Sequence, residues 1–260
     1  MIMKTLSVVI ISFNEEKRLA KCLEAARQVA DEIILVDSHS TDNTVAIAQS
    51  FGASIHAQEF LGYVGQKNFA KDLAKMDYIL SLDCDEILSN ELINSILDIK
   101  YNNIQSDGFL VNRLNLLEGK PIKSCGWYPD SKLRLWKNGM ARWVGHTIHE
   151  KVEMDAGSIV KHLEGDLIHD TYPTRESFER QVMKFSDIAA QHFKNKSYIY
   201  LVFKLCVSTP FKFIKSYFLK KGFTDGNAGF FVAKMHTKEV FLKYLKAIHL
   251  KKQPSINIIL

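Results

Sequence analysis

Residues Leu6 to Glu16 read LSVVIISFNEE, an apolar, β-branched run without polar alternation, broken at once by Asn14-Glu15-Glu16. A strand of this texture is covered on both faces, as in a parallel sheet. Glu32 to Val36 (EIILV) has the same texture, and between the two runs Leu19, Cys22, Leu23 and Ala26 fall at helical spacing. The unit therefore reads strand, helix, strand. Outward from it, the polar loop Asp37 to Asp42 leads into a helix over Thr44 to Phe51 that Gly52 ends. A third strand at Ala53 to Ala57, a helix around Gln66 to Lys75 and a fourth strand at Tyr78 to Leu82 continue the alternation. The fold class is α/β, a doubly wound sheet, and such sheets take ligands beyond the carboxyl ends of their strands.

Three polar clusters fall at those ends: Asn14-Glu15-Glu16, Asp37-Ser38 and Asp83-Cys84-Asp85. They are expected to meet at one crevice. Asp83, Asp85 and Glu86 would repel one another unless a cation or a hydrogen-bonding ligand lay among them. Alternate residues of a strand or tight turn face the same way, so Asp83 and Asp85 address one ligand while Cys84 turns to the core. Hard carboxylate oxygens suit Mg²⁺ or Mn²⁺, with phosphates and water completing the shell. The alternative is a solvated acidic turn before a helix that begins near Ser89. Neither G-x-G-x-x-G nor G-x-x-x-x-G-K-[ST] occurs, which leaves dinucleotide and P-loop readings unsupported.

The chain has 260 residues, 47% of them hydrophobic, enough for one substantial core or a core with a helical appendage. Its apolar runs fall short of the about 20 residues a membrane span needs, and no secretory leader is recognisable, so a cytoplasmic location is expected. Cys22, Cys84, Cys125 and Cys206 lie far apart without a C-x-x-C pair, which argues against a zinc site or disulfide framework. From Lys194 onward 13 lysines face only Asp225 and Glu239, a net +11 inside a chain whose total is +5. The tail is a separate electrostatic object.

The middle section is rich in Gly, Pro and Asn between short strand-like pieces, and the chain turns helical again from Arg175. Three segments are expected: 1–107 around the sheet, 108–172, and a helical, basic extension over 173–260.

SVVIISFNEE, DEIILVDSHSTDNTV and the DCDE cluster resemble the nucleotide-sugar-binding half of the family 2 glycosyltransferases, which adopt the Rossmann-like GT-A fold. GYVGQKN, GWYPDSKLRLW, HTIHE, LIHDTY and YFLKKGFTDGNAGF are similar to the bacterial lipopolysaccharide inner-core β-glucosyltransferases. The resemblance implies a hexose, glucose, moved from a UDP-linked donor to a lipopolysaccharide core acceptor with inversion at the anomeric carbon. It implies that Asn14, Glu15 and Asp37 lie against the nucleoside, Asp83 near the ribose and Asp85 on the metal. Gln66, Lys67 and Arg134 would lie at the diphosphate, and Glu150 of HTIHE would be the base. His149 and His169 are candidate metal ligands, and Trp127 and Tyr128 candidate acceptor-stacking rings, each with a structural alternative in the core.

In the tail, Phe211, Phe213, Ile214, Tyr217, Phe218 and Leu219 alternate with Lys212, Lys215, Lys220 and Lys221, a pattern suited to an anionic membrane surface, to a core-facing helix or to a dimer contact. No nucleic-acid-binding module accompanies the charge. Two rival readings are a phosphohydrolase of the haloacid dehalogenase type, with Asp83 as nucleophile, and a non-enzymatic nucleotide- or carbohydrate-binding module. The Gly-rich loop of a nucleotidyltransferase is missing after the first strand.

Overall fold

The computed structural model describes residues 3–102, 106–145 and 150–252. Strands β1 (Leu6–Ser12), β2 (Glu32–Asp37), β3 (Ser54–Ala57) and β4 (Tyr78–Asp83) pair in parallel in the order β3-β2-β1-β4. The register sets Ser12 opposite Asp37 and Ile11 opposite Asp83, so three strands end level and release their polar residues at one edge. Both faces are covered, as the unbroken apolar runs require. Leu6, Val8, Ile10, Leu35, Leu80 and Leu82 are buried with residues of α1 (Leu19–Ala26), α2 (Thr44–Ser50) and α4 (Asn90–Tyr101). The alternate residues Val9, Ile34, Val36 and Ile79 pack on the other side with Ala70 of α3 (Gly62–Asp72), Trp136 and Trp143. Burial of each such side chain contributes about 1.5–3 kcal/mol.

The parallel pattern stops at β4. Strands β5 (Glu86–Leu88), β6 (Gly108–Leu117), β8 (Ser131–Lys137) and β11 (Val160–Tyr172) extend the sheet in the order β4-β8-β6-β11-β5, and β8 is antiparallel to both β4 and β6. Short β7 (Lys120–Pro121) pairs with β6, and β9 (Ala141–Val144) and β10 (Lys151–Met154) form a separate antiparallel pair. Helix α4 is capped by Ser89, whose hydroxyl accepts from the Leu92 N–H at 3.2 Å, where the sequence sets its start.

The described residues divide into two units. One comprises the chain up to Leu114 with Asp130 to His169, and the other Asn115 to Pro129 with the chain from Asp170. The middle segment expected over 108–172 thus contributes to both.

The second unit is built on α5 (Arg175–Phe193), α6 (Tyr198–Ile214) and α7 (Gly226–Lys252), with a π-helical turn over Lys215–Leu219 and a 3₁₀ turn over Gly222–Asp225. Thr174 and Ser177 form a reciprocal cap on α5. Phe178, Val182, Tyr172, Val232 and Met235 make one core cluster, with Tyr172 and Phe178 stacked at 4.1 Å between ring centroids. Ile199, Phe203, Val207, Phe211, Ile214 and Phe218 recur at helical spacing and are all exposed, Ile199 to 81%. Phe213 and Tyr217, which the sequence groups with them, are partly buried against the core instead, because that face of the helix carries the contact with α7. Among the described residues no helix is long and apolar enough to cross a membrane.

Candidate active site

A cavity of about 530 Å³ opens in the first unit beyond the ends of β1 and β4. Glu15, Gln66, Lys67, Asp83, Asp85, Glu150 and His169 line it, from segments more than 150 residues apart in the chain. Ser12, Phe13, Phe60 and Tyr63 also line it, with Ser38 of the Asp37-Ser38 cluster. The three aromatics are about half exposed, with Phe60 edge-on to Tyr63 at 5.2 Å. Phe13 and Tyr63 fall within the stretches SVVIISFNEE and GYVGQKN, and Phe60 lies in the loop before α3.

The acidic cluster is held together by protein cations as well as by its opening to the cavity. Lys67 Nζ lies 2.8 Å from Asp83 Oδ1, and Arg134 Nη2 lies 3.0 Å from Asp83 Oδ2 and 2.6 Å from Glu86 Oε1. Burial alone would push the Asp83 carboxyl up, but Lys67 and Arg134 outweigh it and hold it well below the usual carboxylate range. Glu86 is fully buried, accepts the Asp83 N–H at 3.0 Å and has Arg113 at 3.8 Å. Burial shifts its carboxyl upward, against the pull of Arg134. The alternation that sends Cys84 to the core sends Glu86 there too. Cys84 is buried, with its thiol donating to the Ile11 carbonyl at 3.2 Å.

Arg134 is 4% exposed and does not line the cavity. Of the three residues expected at a diphosphate, Lys67 and Gln66 do reach it. Lys67 also sits 3.5 Å from Glu150 Oε1 and 4.4 Å from the centroid of the Trp143 ring. Gln66 is fully buried, its amide donating to Ser38 Oγ at 3.1 Å.

Asp85 faces His169, with Oδ2 3.3 Å from Nε2, and Arg18 reaches the same carboxylate at 3.6 Å. Among the described residues no group of three or more His, Cys, Asp or Glu has metal-holding geometry. His149 lies outside the described residues. A carboxylate oxygen and an imidazole nitrogen side by side on a cavity wall do fit a hard divalent ion that takes its other ligands from phosphate and water.

At the ends of β1 and β2, Asp37 is buried and accepts from Ser12 Oγ at 2.8 Å and from the Ser40 N–H at 2.7 Å. Its neighbour Ser38 is the residue on the cavity wall. Asn14 has a positive φ of 55°, and its side-chain oxygen accepts the Thr41 N–H at 2.8 Å, tying the first loop to the second. Burial raises the Glu15 carboxyl above its ordinary range, with Arg18 opposing and Asp85 adding to the shift. Trp127 and Tyr128 belong to the second unit. The Trp127 ring is packed with Tyr172, Phe178 and His236, donating its indole N–H to His236 Nε2 at 3.0 Å, whereas Tyr128 borders a separate cavity.

Residues 7–113 match the family described as glycosyl transferase family 2. An uncharacterised glycosyltransferase of Rickettsia typhi is 32% identical over 239 residues, which is 88% of this chain and 81% of that one. The lipopolysaccharide core biosynthesis glycosyltransferase LpsC of Rhizobium meliloti is 28% identical over 266 residues, 97% of this chain and 96% of its own. Among solved structures, glucosyl-3-phosphoglycerate synthase of Mycobacterium tuberculosis, crystallised with Mn²⁺, UDP and glucosyl-3-phosphoglycerate, is 23% identical over 44% of each chain, with a TM-score of 0.34. The phosphohydrolase reading falls away, and its required nucleophile, Asp83, has both carboxylate oxygens engaged by Lys67 and Arg134. Its sheet, its level strand ends and relatives above 30% identity along most of its length place this chain, with its GT-A fold and helical C-terminal region, among the family 2 glycosyltransferases.

Proposed function

We propose that this glycosyltransferase moves glucose from UDP-glucose to a hydroxyl of a lipopolysaccharide core acceptor, with inversion at the anomeric carbon. The observation that carries this reading is the meeting of Glu150, Lys67 and the Asp83–Asp85 turn around one cavity. Glu150 takes the proton of the acceptor hydroxyl as that oxygen bonds to the anomeric carbon and the bond to the diphosphate breaks. Charge then builds on the departing diphosphate, and the Lys67 ammonium is placed to meet it. Asp85 and His169 would hold a Mg²⁺ or Mn²⁺ ion, which when bound supplies further positive charge beside the leaving group. Glu15, Ser38 and the exposed rings of Phe13, Phe60 and Tyr63 offer acceptors and an apolar face to a nucleoside. The lipopolysaccharide acceptor is favoured by the name of the full-length relative LpsC.

An acceptor of that kind is membrane-borne, and the second unit carries a matching surface. The exposed stripe from Ile199 to Phe218 is accompanied by Lys204, Lys212, Lys215, Lys220 and Lys221, with no acidic residue between Tyr198 and Lys221. This supports docking on the anionic face of a membrane, where each lysine adds about 1 kcal/mol. Two copies of the stripe brought together would oppose lysine to lysine.

Thermal stabilisation by a panel of sugar nucleotides, with and without Mn²⁺, tests the donor. Binding of UDP-glucose at 100 times its dissociation constant adds about 2.7 kcal/mol. Equal stabilisation by all nucleotides, or none, would overturn the choice of donor.

A further inference from the structure

The motifs KSCGWYP and YFLKKGFTDGNAGF, which the transferase chemistry does not use, are joined in the second unit. Asp225 Oδ2 accepts the backbone N–H groups of Lys123 at 3.0 Å and Ser124 at 2.9 Å, and the Cys125 N–H donates to the Lys220 carbonyl at 2.9 Å. The Cys125 thiol donates to the Gly229 carbonyl at 3.3 Å. A Cβ at Gly229 would lie 1.9 Å from the Gly222 carbonyl oxygen, so the second motif needs glycine there to fold on itself, and Gly126 of the first motif sits at a φ of 80°, backbone that favours glycine.

Between these segments lies a cavity of about 290 Å³ bordered by Lys123, Lys220 and Lys221 with the hydroxyl-bearing Ser124, Thr224 and Tyr128. Among the described residues none of the three lysines has a carboxylate within 4 Å, and Asp225, the acid of the frame, faces backbone N–H groups. The positive potential is felt nearby: after burial, Lys212 and Lys220 are what depress His236. Leu219 also borders the cavity and is 67% exposed, so the pocket opens where the apolar stripe of α6 and the π-helical turn ends.

We propose that this pocket binds a phosphate monoester, its oxygens met by the three ammonium groups of Lys123, Lys220 and Lys221. Three cations around a concavity, with no carboxylate paired to any of them among the described residues, match a compact dianion with three acceptor oxygens. The position at the end of the stripe suits a phosphate carried on a lipid. A soluble phosphorylated sugar presents the same group. The proposal goes beyond the transfer reaction, and its readouts are binding measurements, so failure of either leaves the other standing.

The test is sedimentation with phosphatidylcholine vesicles doped with phosphatidic acid, or with phosphatidylserine at matched surface charge, together with NMR titration by inorganic phosphate. The chain carrying Lys123→Gln, Lys220→Gln and Lys221→Gln is compared with one carrying Lys184→Gln, Lys194→Gln and Lys234→Gln, three exposed lysines of the same unit. Phosphatidic acid should be preferred over phosphatidylserine, and the pocket variant should lose about a hundredfold in that binding, from about 1 kcal/mol for each lysine. The control should keep the preference, and Lys→Arg at the three pocket positions should restore it. Inorganic phosphate that shifts pocket resonances and displaces the vesicles identifies the phosphate group as the ligand. Shifts without any vesicle preference identify a soluble phosphate as the source. Equal losses in pocket and control variants, or no preference and no phosphate shift in the parent chain, would overturn the site. Matching urea midpoints establish that the pocket variant is folded.

Discussion

Arg134 and Glu86 form a buried pair: the guanidinium nitrogen lies 2.6 Å from the carboxylate oxygen, with the side chains 4% and 0% exposed. The acidic turn thus rests on an internal cation before any ligand arrives, since the same guanidinium reaches Asp83 at 3.0 Å. Removing one partner leaves an unpaired buried charge. Arg134→Met should cost about 3–5 kcal/mol of stability in urea unfolding, and the double variant Arg134→Met with Glu86→Leu should recover part of it. An Arg134 that served only a bound diphosphate would leave the unfolding curve unmoved.

Glu150 tests the chemistry. Glu150→Gln should bind the donor as the parent does and lose transfer by a factor of about 10²–10⁴, the range for a lost general base. Loss of donor binding without a specific loss of turnover would move the base elsewhere. Retention of every property would favour the non-enzymatic binding module.

Asp85 and His169 test the metal. In Asp85→Ala or His169→Ala, the extra thermal stabilisation that Mn²⁺ adds to UDP binding should shrink, with the larger loss at the charged ligand. Full Mn²⁺ dependence in both variants would place the ion outside this pair.

His236 gives the second unit a pH signature. Burial, with Lys212 and Lys220 adding to it, lowers the ring from 6.5 to about 3, and its Nε2 accepts the Trp127 N–H at 3.0 Å. The folded value lies below the unfolded one, so its contribution is complete above pH 6.5 and is lost as pH falls toward 3. Between pH 7 and pH 5 that is about 2 kcal/mol. Urea unfolding should show that loss in the parent chain and not in His236→Gln; parallel curves for both would refute the assignment.

The exposed stripe tests the membrane reading. Phe203→Glu with Phe211→Glu should leave the fold intact, because both rings are exposed, and should release the protein from anionic vesicles. Unaltered partitioning, together with a change from dimer to monomer, would assign the stripe to a second copy instead.

What the sequence determined by itself was local and periodic. Continuous β-branched runs marked β1 and β2 as covered on both faces, the alternation of strands and helices marked β4, Ser89 marked the start of α4, and strand ends carrying Glu15, Asp83 and Asp85 marked the crevice. These follow from burial pattern and capping, which act over a few residues. Which charge answers which across the chain was decided by tertiary structure alone. Arg134 meets Asp83 and Glu86 across 51 and 48 residues, and Trp127 meets His236 across 109. Such pairings depend on strand order, here β4 beside β8, and no periodicity encodes strand order. The same limit explains the tail, where composition revealed a basic, aromatic helix, but only packing against α7 turned Phe213 and Tyr217 inward and left Phe211, Ile214 and Phe218 facing out.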